Sequence, residues 1–173
     1  MCVCVESSYI MHIGLILPPF HGHLNPGVTL GGKLKARGHQ VTLIAPLIGK
    51  QYAQRENINF YEMDCGQDDK TSQAETELMA TQSGLQAFKT SLRSISVYGL
   101  ILLRDLGRVI DEMNVNALLI DEVLYWGGAT VAEIKNIPFG TMANAMSIMH
   151  CVDGPPFLTT WQYNGSMFHR LRD

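Results

Sequence analysis

Residues 12–46 read HIGLILPPFHGHLNPGVTLGGKLKARGHQVTLIAP, and this stretch decides the fold. Residues 13–17 are apolar apart from one glycine, a pattern typical of a strand buried on both faces of a parallel sheet. An Asn-Pro pair then caps a helix over residues 26–37, which ends in basic residues and a glycine. A second apolar run covers residues 41–45. The stretch therefore predicts a strand, a helix and a parallel strand, joined by a right-handed crossover.

The rest of the chain continues this alternation. Short apolar runs predict further strands at residues 58–63, 117–120 and 138–142. Apolar residues three and four apart predict helical structure over residues 85–113, with a division at Gly99, and a further helix is predicted at residues 129–135. Gly31 and Gly32 predict a first helix that lies close on the sheet. The polar segment at residues 66–76 is interpreted as a mobile loop. The pattern predicts an α/β fold with a doubly wound, Rossmann-like parallel sheet and helices on both faces.

The composition indicates a folded domain without nucleic-acid-binding character. Of the 173 residues, 46% are hydrophobic and 17% are charged, which is enough apolar surface for one core. A net charge of −3 with scattered Lys and Arg residues disfavours binding to nucleic-acid phosphates. The sequence has no uncharged apolar stretch of about 20 residues, so we expect no transmembrane segment.

The cysteines and the first residues indicate a cytoplasmic protein. The four cysteines, at positions 2, 4, 65 and 151, form no zinc-binding pattern and are interpreted as free thiols in a reducing compartment. Residues 1–9 contain a glutamate and two serines and lack the basic start of a secretory signal. We expect residues 1–11 to be a disordered extension, with Met11 as the original start, ahead of a single domain over residues 12–173.

Two predicted strands end in polar residues, at the sheet edge where folds of this kind bind ligands. His21 and His23 follow the first strand, and Asp121 and Glu122 follow the strand that begins at Ala117. The partial positive charge of a helix amino terminus favours a neutral imidazole, which is the form that a general base requires. His23 is therefore a candidate base, with His21 as a structural or ligand-contacting neighbour.

Each of these residues also has a plainer interpretation. A histidine in such a turn often only hydrogen-bonds the backbone. Asp121 needs a partner, because a charge at the end of a buried strand is costly. It either accepts a hydrogen bond from the His23 ring, fixing its tautomer and stabilising the imidazolium, or it caps the following helix. Glu122 is interpreted as its solvent-facing neighbour. The residues alone leave these alternatives open.

Motifs of several other enzyme classes are missing from the sequence. It has no Gly-x-Gly-x-x-Gly after the first strand and no phosphate-binding P-loop. It also has no Gly-x-Ser-x-Gly elbow and no His-Glu-x-x-His pair. Dinucleotide-dependent oxidoreductases, P-loop enzymes, serine hydrolases and zinc proteases are therefore disfavoured, and the candidate chemistry rests on His23 and Asp121.

Residues 12–46 resemble the start of the family 1 glycosyltransferases, which are two-domain enzymes of the GT-B fold. In that family a Gly-His-x-x-Pro motif opens the first helix and carries the catalytic base, which corresponds to His23. The stretch LLIDEVLYWGGATVAEIKNIPF, residues 118–139, is similar to the segment that carries the aspartate partner, here Asp121. The closing GPPFLTTWQYNGSMFHRLRD, residues 154–173, is similar to bacterial, especially cyanobacterial, members of the macrolide and zeaxanthin glucosyltransferase type.

The resemblance implies the amino-terminal, acceptor-binding domain of an inverting glycosyltransferase, with the second domain absent. The donor, a UDP-sugar, would be a cosubstrate held mainly by that second domain, so no cofactor and no metal are implied. The acceptor would be a small lipophilic molecule with a hydroxyl group, such as a carotenoid, macrolide or flavonoid. Six residues are candidates for the walls of its pocket: Phe20, His21, Asn25, Tyr125, Trp126 and Asn144. We expect the isolated chain to be inactive.

A second interpretation is a non-catalytic binding or assembly module, or a truncated remnant. In the family, an apolar face meets the second domain, and here that face would recruit a separate donor-binding chain or form a homodimer. An unrelated Rossmann-like oxidoreductase is disfavoured, because the glycine fingerprint is missing.

Overall fold

The computed structural model describes residues 9–64 and 81–144, which form one parallel sheet flanked by helices. The strands β1 to β5 run over His12–Ile16, Gln40–Ala45, Asn59–Glu62, Ala117–Asp121 and Phe139–Met142. Within these residues the α-helices α1 to α4 run over His21–Ala36, Lys50–Arg55, Gly84–Met113 and Tyr125–Lys135. Several sequence-based expectations lie outside the described residues: those for residues 1–8, the loop at 66–76, the four cysteines and the closing stretch 154–173.

The strands are all parallel and lie in the order β3-β2-β1-β4-β5. The chain builds outward from β1 to β3 and then crosses back to place β4 on the other side of β1. This is the doubly wound sheet predicted from the sequence, and the prediction is confirmed. In such sheets the crevice between the two halves opens at the carboxyl ends of the central strands. Here those strands are β1 and β4, where Ile16 pairs with Ile120.

Each face of the sheet buries its own apolar cluster. Side chains of neighbouring strand residues point to opposite faces, so a strand covered on both sides needs an unbroken apolar run. Ile16 packs in the cluster with Leu106 of α3 and Val131 of α4. Leu15 packs in the other cluster, with Val28 of α1. The central strands are thus held from both sides, which makes their ends a rigid support for a site.

Glycines on α1 let the helix lie close on the sheet. An ideal Cβ atom at Gly27 would come within 2.5 Å of a leucine side chain just after β1, and one at Gly31 within 2.6 Å of Leu15 Cδ1. Residues four apart share a helix face, so both glycines face the sheet. The close contact predicted at Gly31 is confirmed. Gly32 instead faces Glu56, since an ideal Cβ atom at Gly32 would lie 2.8 Å from the Oε2 atom of Glu56.

Helix α3 is continuous over 30 residues, so the predicted division at Gly99 is wrong. An ideal Cβ at Gly99 would lie 1.9 Å from Trp126 Cζ2, and one at Gly127 would lie 2.7 Å from the Gly99 carbonyl oxygen. The glycines therefore mark the point where α3 and α4 cross closely. Sequence alone does not separate a glycine that permits a helix crossing from one that ends a helix, because both roles use the missing side chain.

No helix within the described part of the chain is long and apolar enough to span a membrane.

Candidate active site

The predicted base and its partner lie at the same edge of the sheet. Asp121 is the last residue of β4, and His23 lies in the first turn of α1, which follows β1. Because β1 and β4 pair in parallel, their carboxyl ends meet at the point where the strand order reverses. Two residues that are 98 positions apart in the sequence are thereby brought into contact.

Helix α1 begins at His21, five residues before its predicted start. The carbonyl oxygen of Phe20 accepts hydrogen bonds from the backbone N–H groups of His23 at 2.9 Å and Leu24 at 2.8 Å, which starts the helix there. The two histidines therefore lie in the first helical turn and not in a loop. Pro26 lies inside the helix. A proline lacks the N–H that would bond the carbonyl four residues earlier, which here belongs to Gly22, the second residue of α1. Only one hydrogen bond of the first turn is lost, so the helix can begin before Pro26.

The imidazole of His23 is hydrogen-bonded to the carboxylate of Asp121. The Nδ1 atom of His23 lies 2.8 Å from Oδ2 of Asp121, so the contact predicted from the sequence is confirmed. An ionised carboxylate can only accept, so Nδ1 donates the hydrogen, and in the neutral ring Nε2 then carries the free lone pair. Within the described residues Nε2 has no hydrogen-bond partner, and 17% of the side-chain surface is exposed. The ring thus keeps its basic nitrogen available.

The carboxylate of Asp121 is buried and accepts three hydrogen bonds. Its side chain is 1% exposed. The Oδ2 atom accepts from Asn144 Nδ2 at 2.8 Å as well as from His23, and Oδ1 accepts from the backbone N–H of Val123 at 3.1 Å. Bonds from several donors offset the cost of burying a charge. The two sequence-based alternatives for Asp121 therefore hold together, since one oxygen caps the turn at Glu122–Leu124 and the other holds the histidine.

Two further residues of the predicted site lie beside this pair. The ring of Phe20 contacts that of His23 edge-on, with centroids 5.9 Å apart. Asn144 lies two residues past the end of β5, the strand next to β4, and reaches Asp121 from there. The structure therefore groups Phe20, His23, Asp121 and Asn144 at one edge of the sheet.

His21 and Asn25 lie on a different face of α1. The Nδ1 atom of His21 hydrogen-bonds to the hydroxyl of Tyr52 on α2, and Oδ1 of Asn25 accepts from Arg55 at 2.9 Å. Residues four apart share a face, and a helix turns by about 200° between residues two apart. His21 and Asn25 therefore point toward α2 and away from the His23–Asp121 contact. The sequence had no signal for Tyr52 as a partner, because α2 has only six residues.

Tyr125 and Trp126 open α4 and are packed against other elements. The Tyr125 ring lies 6.2 Å from that of Phe139 on β5, and the Trp126 ring lies over Gly99 of α3. Trp126 remains 41% exposed. The structure does not bring either ring into contact with His23.

Glu122 is buried, with 7% of its surface exposed, so the expectation of a solvent-facing residue is wrong. Glu122 opens the 3-10 turn Glu122–Leu124, which directly follows β4 and leads into α4. Among residues 9–64 and 81–144 no group of three or more His, Cys, Asp or Glu side chains is placed to hold a metal ion.

Comparison with known proteins confirms the resemblance to glycosyltransferases noted from the sequence. No protein-family profile matches the chain. It is 28% identical over 167 residues to the zeaxanthin glucosyltransferase of Pantoea ananas, covering 93% of this chain and 37% of that enzyme. The chain thus spans about a third of the length of this relative.

Solved structures of glycosyltransferases share the fold. The glycosyltransferase of kitacinnamycin matches with a TM-score of 0.62 and 18% identity, over 80% of this chain and 32% of that chain. The glycosyltransferase SsfS6 of Streptomyces sp. SF2575 matches with a TM-score of 0.59 and 18% identity, over 76% and 38%. The spinosyn rhamnosyltransferase SpnG matches with a TM-score of 0.55 and 18% identity, over 76% and 34%. The chain therefore shares the fold of about a third of each of these proteins.

Proposed function

We propose that the chain is the acceptor-binding half of an inverting glycosyltransferase. It would transfer a sugar from a nucleotide sugar, a UDP-sugar, to a hydroxyl group of a small lipophilic acceptor. The observation that carries the proposal is the 2.8 Å hydrogen bond between His23 and the buried Asp121 at the switch point of the sheet. That arrangement leaves a basic nitrogen available beside the crevice where such folds bind ligands.

The proposed reaction uses His23 as the general base. Nε2 takes the proton of the acceptor hydroxyl while the hydroxyl oxygen attacks the anomeric carbon of the donor. The bond between that carbon and the phosphate oxygen breaks on the opposite side, so the nucleoside diphosphate leaves and the configuration inverts. Asp121 keeps the Nδ1 hydrogen directed at its carboxylate and stabilises the imidazolium that forms. No step of this proposal uses a metal or a cofactor.

The acceptor class rests on the aromatic ring beside the base and on the relatives. Phe20 presents a ring edge-on to His23, which suits an apolar molecule carrying a hydroxyl group. The relatives include a zeaxanthin glucosyltransferase and a spinosyn rhamnosyltransferase that was solved with the spinosyn aglycone. Donor binding would come from a further domain or a separate chain, because these residues match only 37% of the glucosyltransferase. The four unpatterned cysteines favour action in the cytoplasm.

A second candidate function is a non-catalytic module that pairs with another chain or with a second copy. It is favoured by large apolar side chains that are exposed along α3: Leu85, Phe88, Leu92, Leu100 and Leu103. Exposed apolar patches often mark interaction sites. This function does not require His23 to have a free Nε2, so a substitution at His23 separates the two candidates.

The decisive experiment compares His23→Ala with wild type after a donor-binding domain is supplied as a fusion or a separate chain. UDP-glucose and zeaxanthin are the substrates, and the glucoside is quantified by chromatography. Loss of a positioned general base should lower turnover by about 10²–10⁴-fold. The 173 residues without that domain should form no glucoside.

His39→Ala is the matched control for this experiment. His39 accepts a hydrogen bond from the backbone N–H of Met11 at 3.3 Å, beside the amino end of β2 and far from Asp121. Its removal should lower the melting temperature slightly and leave turnover unchanged. If His23→Ala behaves like His39→Ala, then His23 only braces the helix start and the proposed mechanism is wrong.

A further inference from the structure

Two side chains donate to the same oxygen of the buried carboxylate at the site. Oδ2 of Asp121 lies 2.8 Å from Nδ1 of His23 and 2.8 Å from Nδ2 of Asn144. The other oxygen is bound by the backbone N–H of Val123, within the same turn as Asp121 itself. Asn144 is thus the donor that holds Asp121 from the neighbouring strand end, after β5.

We propose that Asn144 is a positioning residue, which orients the Asp121 carboxylate toward His23 and acts on the reaction only through it. Without Asn144, the Oδ2 atom would be held, within the described residues, by His23 alone, and the neighbouring strand end would no longer restrain it. The 3.1 Å bond from Val123 to Oδ1 would then be the contact, besides His23, that resists rotation of the carboxylate about its Cβ–Cγ bond. The bond from Asn144 therefore orients the carboxylate of Asp121, and with it the direction in which His23 donates its Nδ1 hydrogen.

This role differs from that of a wall residue of an acceptor pocket. The Nδ2 group of Asn144 is engaged by Asp121, whose side chain is buried. A buried carboxylate that loses one of its three donors also loses part of the compensation for its desolvation. Loosening is therefore expected in the contact between His23 and Asp121, even in the absence of any substrate.

The first test uses the 173-residue chain and follows the His23 Nδ1 hydrogen by NMR. Asn144→Ala should speed its exchange with water about tenfold, the order of effect expected from one lost hydrogen bond. Asn144→Leu keeps a similar branched shape without a donor and should act likewise if the alanine variant folds poorly. Asn116→Leu is the control. It removes a 3.0 Å bond from the His12 backbone N–H at the other end of the sheet and should leave the exchange unchanged.

The second test measures turnover with a donor-binding domain supplied, and it rests on the proposed function. Asn144→Leu should lower kcat about tenfold and leave the KM for the acceptor nearly unchanged. In an Asp121→Asn background it should cause no further loss, because a residue that acts only through Asp121 has nothing left to position.

The results separate the two proposals. Unchanged exchange of the His23 hydrogen in both Asn144 variants would overturn the positioning role, whether or not the protein transfers sugar. A raised KM with wild-type kcat would also overturn it, in favour of direct contact with the acceptor. Absence of sugar transfer by the wild-type protein with its donor-binding domain would contradict the proposed function, and the exchange measurement would still decide the role of Asn144.

Discussion

Replacing Asp121 with asparagine should remove most turnover and leave the fold intact. The carboxylate accepts from His23 and Asn144 at one oxygen and from Val123 at the other. An amide has one oxygen, so its NH₂ group must face a donor whichever way it is turned. If that group faces His23, the ring has to accept at Nδ1 and carry its hydrogen on Nε2. The nitrogen proposed to take the acceptor's proton is then no longer basic.

The expected effects on rate and on stability differ in size. Loss of a positioned base lowers turnover by about 10²–10⁴-fold, which corresponds to about 2.7–5.5 kcal/mol of activation free energy. A buried donor left facing another donor costs about 1–3 kcal/mol of folding free energy, and removal of a buried charge offsets part of that cost. For a domain of this size, about 1 kcal/mol shifts the melting temperature by about 2–4 °C. Turnover should therefore fall by orders of magnitude while the melting temperature moves by only a few degrees.

The assay measures glucoside formation by the variant with a donor-binding domain supplied, and thermal unfolding of the same sample. Asp111→Asn is the matched control. Asp111 is 64% exposed and pairs with Lys135 at the carboxyl-terminal ends of α3 and α4, so its substitution should change neither quantity much. Turnover of Asp121→Asn close to the wild-type rate would refute the reasoning, since it would mean that the tautomer of His23 does not matter.

Two further predictions concern packing and the other histidine of the first turn. Gly99→Ala should destabilise the domain by about 1–3 kcal/mol, because its Cβ would lie 1.9 Å from the Trp126 ring. Gly107→Ala on the same helix should instead stabilise the domain by about 0.5–1 kcal/mol, because its Cβ would lie 3.3 Å from the flexible end of Lys135. Urea unfolding measures both, and equal stability of the two variants would contradict a close helix crossing. Tyr52→Phe removes the hydroxyl that bonds His21 and should cost about 0.5–1.5 kcal/mol with turnover unchanged. A large fall in turnover would instead link the α2 side of α1 to the reaction.

Much of the fold was predictable because its signals are local. Apolar runs marked the five strands, because a strand covered on both faces needs apolar residues throughout. Capping and stop residues marked α1, and apolar spacings of three and four marked α3. The failures came where one residue type has two structural uses. Gly99 permits a crossing of two helices instead of a break, and Pro26 lies within α1 instead of at its start. Glu122 is buried in the turn between β4 and α4, although its place after a strand end suggested a solvent-facing residue.

By itself, the sequence identified His23 and Asp121 as polar residues after the ends of buried strands, and the resemblance added Asn144 as a candidate wall residue of an acceptor pocket. Only the tertiary structure decided how they meet. Strand order depends on pairing between distant segments, and the parallel pairing of β1 with β4, and of β4 with β5, brings three strand ends to one edge. The rotation of α1 about its axis likewise turns His23 toward Asp121 and His21 toward Tyr52. Neither the strand order nor the rotation of α1 can be predicted from local spacing, because both depend on how distant segments pack together in the core.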